Sequence, residues 1–351
     1  MKMLPLESAK ADAVVPPLMA GHLEMFGCPA CGGPLDMADD CRTIECSQCN
    51  QRYRCDHGIP LLFWTNEWGS KADVTEIVKA FYEQTPFPNY EDIDSAWSLR
   101  EKAQKGVFAR LLDEEIPHSS RILEVGCGTG QLSNFLGMRW GRTVFGTDMC
   151  LNSLRLGQEF KVENQIDGVA FFQMNLFRPI FRPETFDVVV CNGVLHHTSD
   201  PFLGFQSISR LVKRGGVIII GLYNTYGRIP TDIRRFIFRV IGNRLKFLDP
   251  RLRDRSIGDL RKYTWFMDQY QHPHESKHTI GEALSWFDRS GFEFVNSIPK
   301  TRAFAGLEPD EKLFAPNPRG DALDHLIVQL GMCLSGGREG GFFIMIGQRT
   351  G

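Results

Sequence analysis

From Arg121 onward, short apolar runs alternate with helix-spaced segments. RILEVG (121–126), TVFGTD (143–148), VAFFQMN (169–175), FDVVVCNG (186–193) and GGVIIIGLYN (215–224) are nearly continuous apolar stretches rich in Val, Ile and Phe. Strands apolar on both faces belong in a parallel sheet covered on both sides. Helical segments lie between them, from about Gln131, up to about Asn164, and near 201–213. TIGEALSWFDRSG reads as a late helix stopped at Gly291. FEFVNSIP and FFIMIGQR can close the sheet as a hairpin, although some 40 residues part them. The pattern predicts an α/β fold: a doubly wound, seven-stranded, Rossmann-like sheet.

Upstream the periodicity changes. Val74, Ile77, Val78, Phe81 and Tyr82 recur at helical spacing, as do Val107, Phe108, Leu111 and Leu112. Residues 71–115 therefore read as helices, broken by the proline-punctuated loop QTPFPNYED. Residues 1–22 are a mixed lead-in expected to be poorly ordered, and 23–64 are Cys-rich with Gly and Pro turns. Residues 116–351 form the main domain, with insertions at about 225–278 and 301–341.

Bulk composition narrows the partners. A net charge of −2 over 351 residues does not by itself call for nucleic acid or a membrane. No run of 18 apolar residues is present, and MKMLPLESAK lacks the apolar core of a signal peptide. Of ten cysteines, four stand in two CxxC pairs, which suggests a reduced compartment and a metal site, not a secreted disulfide framework. A soluble, cytoplasmic protein is expected.

Cys28-x2-Cys31 and Cys46-x2-Cys49 are separated by 14 residues. Two such knuckles can offer four thiolates tetrahedrally to one Zn2+, leaving no open position for catalysis. A module this small lacks a sufficient core, so the metal is expected to be structural. Cys41 and Cys55 are spare thiols, either of which can replace a ligand.

The first strand ends in Leu123-Glu124-Val125-Gly126-Cys127-Gly128-Thr129-Gly130. Glycines there let the backbone turn sharply and approach a ligand at a helix N-terminus. Asp148 ends the second strand, where a carboxylate can take both ribose hydroxyls. Glu124 helps choose the cofactor: a carboxylate would repel a pyrophosphate, but favours the ammonium and sulfonium of S-adenosylmethionine.

EVGCGTG, the acid of FGTDMCLNSL, and FDVVVCNGVLHHTSDP followed by LVKRGGVIIIGLYN resemble class I S-adenosylmethionine-dependent methyltransferases over about residues 118–225. The likeness is strongest to the type 11/12-like group acting on small molecules, lipids and quinones. It implies that Glu124, Gly126, Cys127, Gly128 and Gly130 line the methionine part of the cofactor. Asp148 would bind the ribose, and Met149 would pack beside the adenine. Asn175, with Leu176, stands where the family usually has an Asp touching the adenine amine, and an amide oxygen can still accept that bond. Asn192 and Gly193 would lie between methionine and substrate. CPACGGPL through YRCDHGIPLLF resembles zinc ribbons found as methyltransferase activator subunits and at the front of certain rRNA guanine methyltransferases. That implies either RNA recognition or packing on the catalytic domain. The ribbon's only basic residues are Arg42, Arg52 and Arg54, outnumbered by its acids.

Candidates for the acceptor side are more open. His196 or His197 can be a base after the fourth strand, or can orient the loop. Tyr270, His272, His274, Glu275, Ser276, Lys277 and His278 form a His-rich cluster that reads better as a substrate-facing loop than as a metal site. Residues 228–262 hold eleven Arg and Lys against four Asp, a local charge of +7. Within them Ile233, Phe236, Ile237, Val240 and Ile241 form a stripe, giving a basic amphipathic helix near 232–248. It can pack its stripe on the sheet, cap an anionic or lipid-like substrate, lie on a membrane, or touch nucleic acid. The expected function is methyl transfer to a small-molecule or lipid-like acceptor. The alternatives are an rRNA/tRNA methyltransferase and a non-catalytic partner-binding scaffold.

Overall fold

In the computed structural model, residues 14–68, 73–308, 310–334 and 340–350 are described. The N-terminal ribbon is a four-stranded antiparallel sheet of β1 (Leu35–Met37), β2 (Thr43–Cys46), β3 (Arg52–Asp56) and β4 (Ile59–Pro60), ordered β1-β2-β3-β4. Three helices follow: α1 (Thr75–Gln84), α2 (Ala96–Lys105) and α3 (Val107–Glu115).

The main sheet comprises β5 (Arg121–Val125), β6 (Thr143–Asp148), β7 (Val169–Gln173), β8 (Phe186–Asn192), β9 (Val212–Tyr223), β10 (Phe292–Ile298) and β11 (Phe342–Arg349). Their order is β10-β11-β9-β8-β5-β6-β7. Five strands are parallel, and β11 and β10 run antiparallel at one edge, as expected of the two late strands. Helices α4 (Gln131–Gly137), α5 (Leu151–Glu163) and α6 (Pro201–Ser209) join the parallel strands. The chain runs outward from β5 toward β7, then returns to β8 on β5's other side. Ligands bind in such folds at the carboxyl ends of the strands flanking this reversal.

The ribbon shares a core with the sheet. Leu61 bridges to Gln173 of β7, and the Gly27 N–H donates to the Ile180 carbonyl at 2.7 Å. The Phe26 ring lies 4.9 Å from that of Phe181 and 5.3 Å from that of Phe172. A module too small for its own core thereby borrows one. The lead-in differs from expectation where it is described: Met19 is fully buried and the Val15 N–H donates to the Cys41 carbonyl. Its apolar side chains extend the same shared core. Residues 1–13 lie outside the described part.

The first insertion is a substructure with its own small core. It contains α7 (Ile229–Ile241) and α8 (Asp259–Phe266), and α8 runs directly into a π-helical segment, Met267–Gln271. Phe238, Phe266 and Tyr270 pack together beneath α7. The stripe of α7 does not meet the sheet: Ile233, Phe236 and Val240 are exposed, with Phe238 on the opposite side of the helix as the buried anchor, while Ile241 at the helix end is exposed too and Ile237 is half-buried against the insertion's small core. Helices α9 (Ile280–Arg289) and α10 (Ala322–Leu334) complete the fold.

Candidate active site

One cavity of about 950 Å3 opens at the carboxyl ends of β5, β6 and β8. Its inner wall is the turn after β5. Gly126 and Gly128 have positive φ, 68° and 54°. A Cβ on Gly126 would stand 2.3 Å from Val194, and one on Gly128 2.3 Å from the Phe87 carbonyl oxygen. Only glycine suits this turn, because of both backbone sign and neighbour distance. Gly130 does not reach the cavity; it lets α4 start against the Phe171 ring.

Asp148 locks the turn from the end of β6. One carboxylate oxygen accepts from the Gly128 N–H and the other from the Cys150 N–H, both at 2.8 Å. Glu124 lies beside it, accepting from the Ser133 hydroxyl at 2.5 Å. Burial raises both acids, Glu124 to about 7. Among the described residues, neither has a cationic partner within ion-pair distance. Two acids in one wall, Glu124 buried and Asp148 half-buried, make it hostile to phosphate and hospitable to a cation.

Cys127, Met149, Asn175, Leu176, Asn192 and Gly193 line the same cavity. The Asn192 Oδ1 is buried with no hydrogen-bond partner, an acceptor that a ligand N–H can satisfy. Asn175 is held from the ribbon side: its amide nitrogen donates to the Trp64 carbonyl at 2.9 Å and to Asn66 Oδ1 at 2.8 Å. Its own oxygen accepts from the Phe177 N–H at 3.1 Å, leaving one lone pair for a ligand. The thiols of Cys127, Cys150 and Cys191 are pushed up by burial, so none is a nucleophile.

The outer half has other walls. Leu99, Ala103 and Phe108 come from α2 and α3, Phe87 and Pro88 from the proline loop, and Ile298, Phe342 and Ile344 from the antiparallel edge. A polar group interrupts these apolar walls: Tyr82, His197, Tyr223, Asp268 and Gln269. The Tyr82 hydroxyl donates to Asp268 Oδ1 at 2.9 Å, and Gln269 Nε2 donates to Asp268 Oδ2 at 2.8 Å and to the Tyr223 hydroxyl at 2.7 Å. Asp268 and Gln269 sit in the π-helical segment, a distortion frequent at functional sites. Sequence reasoning missed Tyr82, Asp268 and Gln269, because Tyr82 and Asp268 are 186 positions apart and no motif joins them.

The two neighbouring histidines part company. His197 lines the cavity, while His196 lies behind it, fully buried, with neither ring nitrogen partnered. Its ring packs on Tyr223 at 4.1 Å and on His197 at 4.2 Å. Burial depresses both, His197 to about 4. The His197 Nδ1 lies 2.9 Å from the His274 carbonyl, so it is the protonated nitrogen and Nε2 carries the lone pair. The His-rich cluster is committed to internal contacts. His272 stacks on His197 at 3.7 Å, Glu275 pairs with the buried Arg228, and His278 bonds Glu282.

Cys28, Cys31, Cys46 and Cys49 converge, with all four sulfurs within 4.8 Å of one another. Sulfurs held 2.3 Å from one tetrahedral ion stand about 3.8 Å apart; Cys28–Cys49 and Cys31–Cys46 are 3.7 and 3.5 Å. The donor set fits Zn2+. The Tyr53 hydroxyl lies 3.0 Å from Cys28 Sγ, an outer-shell partner the spacing did not reveal. Cys41 and Cys55 stay outside the set. Among the described residues this is the one group of three or more potential ligands so close together.

Comparison with known proteins agrees with this layout. Residues 123–220 match the family model described as a methyltransferase domain. The ubiquinone biosynthesis O-methyltransferase of Pseudomonas fluorescens is 33% identical over 133 residues, 37% of this chain and 54% of the relative. An uncharacterized protein of Synechococcus sp. is 26% identical over 208 residues, 52% of this chain and 49% of the relative. The chain thus spans about half the length of these curated relatives. The solved structure of PKMT2 from Rickettsia typhi shares the fold, with a TM-score of 0.51 at 15% identity over 70% of this chain and 52% of that one.

Proposed function

We propose that this chain, whose residues 123–220 belong to the methyltransferase-domain family, is an S-adenosylmethionine-dependent methyltransferase acting on a small, largely apolar acceptor. The observation that carries the proposal is the pair of acids, buried Glu124 and half-buried Asp148, with no cationic partner among the described residues, in one wall of a cavity whose other half is largely apolar. Glu124 and Asn192 would hold the donor's methionine end, Asp148 the ribose, and Met149, Asn175 and Leu176 the adenine side. When bound, S-adenosylmethionine supplies an activated methyl group on a sulfonium, which moves by in-line displacement.

The residues of this chain then do three things. The walls from α2, α3 and the proline loop exclude water and fix the acceptor's approach, where much of the acceleration of such a transfer arises. The His197 Nε2 lone pair, neutral at pH 7, accepts a hydrogen bond from an acceptor hydroxyl and orients it. A base depressed to about 4 is too weak to hold that proton for long. Asp268, braced by Tyr82 and Gln269, is the carboxylate at the acceptor end and offers the same hydroxyl a second, anionic hydrogen-bond acceptor. The four cysteines would hold a structural Zn2+, and the ribbon, through Trp64 and Asn66, steadies Asn175 in the proposed donor wall.

Incubating the full chain with methyl-labelled S-adenosylmethionine and cell extract, then separating RNA, protein, lipid and small molecules, tests the reading. Label is expected in the lipid or small-molecule fraction. Label in RNA would replace the acceptor class, and no transfer in any fraction would favour a binding scaffold.

A further inference from the structure

We infer that the outer face of α7 docks on an anionic lipid surface. Ile229, Ile233, Phe236 and Val240 recur at i, i+4, i+7 and i+11, a single stripe along the helix, and all four are exposed, Phe236 by 68% and Val240 by 66%. The helix is already anchored from behind by Phe238, 4% exposed, on the small core it forms with Phe266 and Tyr270. The stripe is therefore not a core face left imperfectly covered. Phe247 and Leu248, just beyond the helix, are exposed as well. A contiguous apolar patch of this kind on a folded surface marks an interaction site.

Charge decides the occupant. Arg234 and Arg235 are used inside, on Tyr270 and Asp249 and on Glu275, so they are not the lipid contacts their sequence positions suggest. Arg239, on the exposed side of the helix, and Arg253 and Arg255 in the following segment face solvent. Asp232, the one acid in α7, is paired with Lys277. An exposed apolar stripe with Arg239 on the same helix, in an insertion of local charge +7, suits the boundary between acyl chains and anionic headgroups. A second copy docked by a two-fold axis would instead bring like-charged arginines together.

The docking also serves the cavity. The inner side of the same insertion supplies Trp265, Asp268 and Gln269 to the acceptor half. A helix lying in the headgroup layer sets that half beside the phase into which an apolar acceptor partitions. This use rests on the methyl-transfer reading; the docking itself does not.

Flotation of the full chain with phosphatidylcholine vesicles, with and without phosphatidylglycerol, tests it. Binding is expected with the anionic lipid and should fall as salt rises. Phe236→Glu with Val240→Glu should lower vesicle partitioning at least about tenfold, and Arg239→Glu about fivefold. Affinity for S-adenosylmethionine, measured by calorimetry, should stay unchanged in all of them, which also shows that they fold. Failure of the wild-type chain to float, or equal flotation of the double variant, would overturn the inference. A dimer in sedimentation that Phe236→Glu splits would assign the face to a second copy instead. Loss of donor binding in the wild-type chain would count against the methyl-transfer reading alone.

Discussion

The two ends of the cavity are made of different material. The proposed donor end rests on strand termini: Glu124 is the penultimate residue of β5, Asp148 closes β6 and Asn192 closes β8, each fixed by ladder bonds to neighbouring strands. The acceptor end is assembled from helices before the sheet and an insertion after it, joined by side-chain bonds such as Tyr82 to Asp268. A sheet edge varies little with loop content, whereas insertions change freely. On the proposed reading, the donor would sit on the sheet edge and the acceptor would be chosen by the added elements.

The contrast can be broken at either end. Asp148→Ala removes a carboxylate and strands the Gly128 and Cys150 N–H groups, so donor affinity by calorimetry should fall about 100-fold or more. Asp268→Asn keeps shape but removes charge. It should lower kcat on the order of 30-fold while donor affinity holds within about twofold. If Asp268→Asn instead weakened the donor as much as Asp148→Ala, the two ends would not be separable.

Proton linkage sharpens the donor end. Burial lifts Glu124 from its ordinary 4.5 to about 7, so the ligand-free fold loses stability as pH rises from about 4.5 to about 7 and levels off above. A cationic ligand prefers the ionised form. Donor affinity should therefore rise with pH by up to about tenfold per unit below 7, then flatten, with proton release detectable in calorimetry. A flat profile from pH 5 to 8 would remove Glu124 from the donor site. The smallest effect is expected from the ribbon. Metal analysis should give about one zinc per chain, and chelation should lower Tm and weaken donor binding only about threefold, through Asn175.

What the sequence made legible follows the same divide. Strands buried on both faces announce themselves as apolar runs, the glycine turn and Asp148 mark the donor end, and paired CxxC spacing marks the ribbon. The acceptor end was dark for physical reasons. Asp268 meets Tyr82 where α8 passes into a π-helical segment, which no local pattern encodes. His196 and His197 are adjacent, yet a single turn puts one in the cavity wall and the other behind it. The stripe of α7 was visible, but periodicity reports that a face exists, not which way it points. Phe238, on the opposite side and helped by Ile237, anchors the helix and turns the stripe outward.

The most direct test of the central claim is calorimetric titration of the wild-type chain with S-adenosylmethionine and, separately, with NAD. The paired acids Glu124 and Asp148 predict one S-adenosylmethionine bound per chain and no measurable heat from NAD; tight NAD binding with none of the methyl donor would contradict the account.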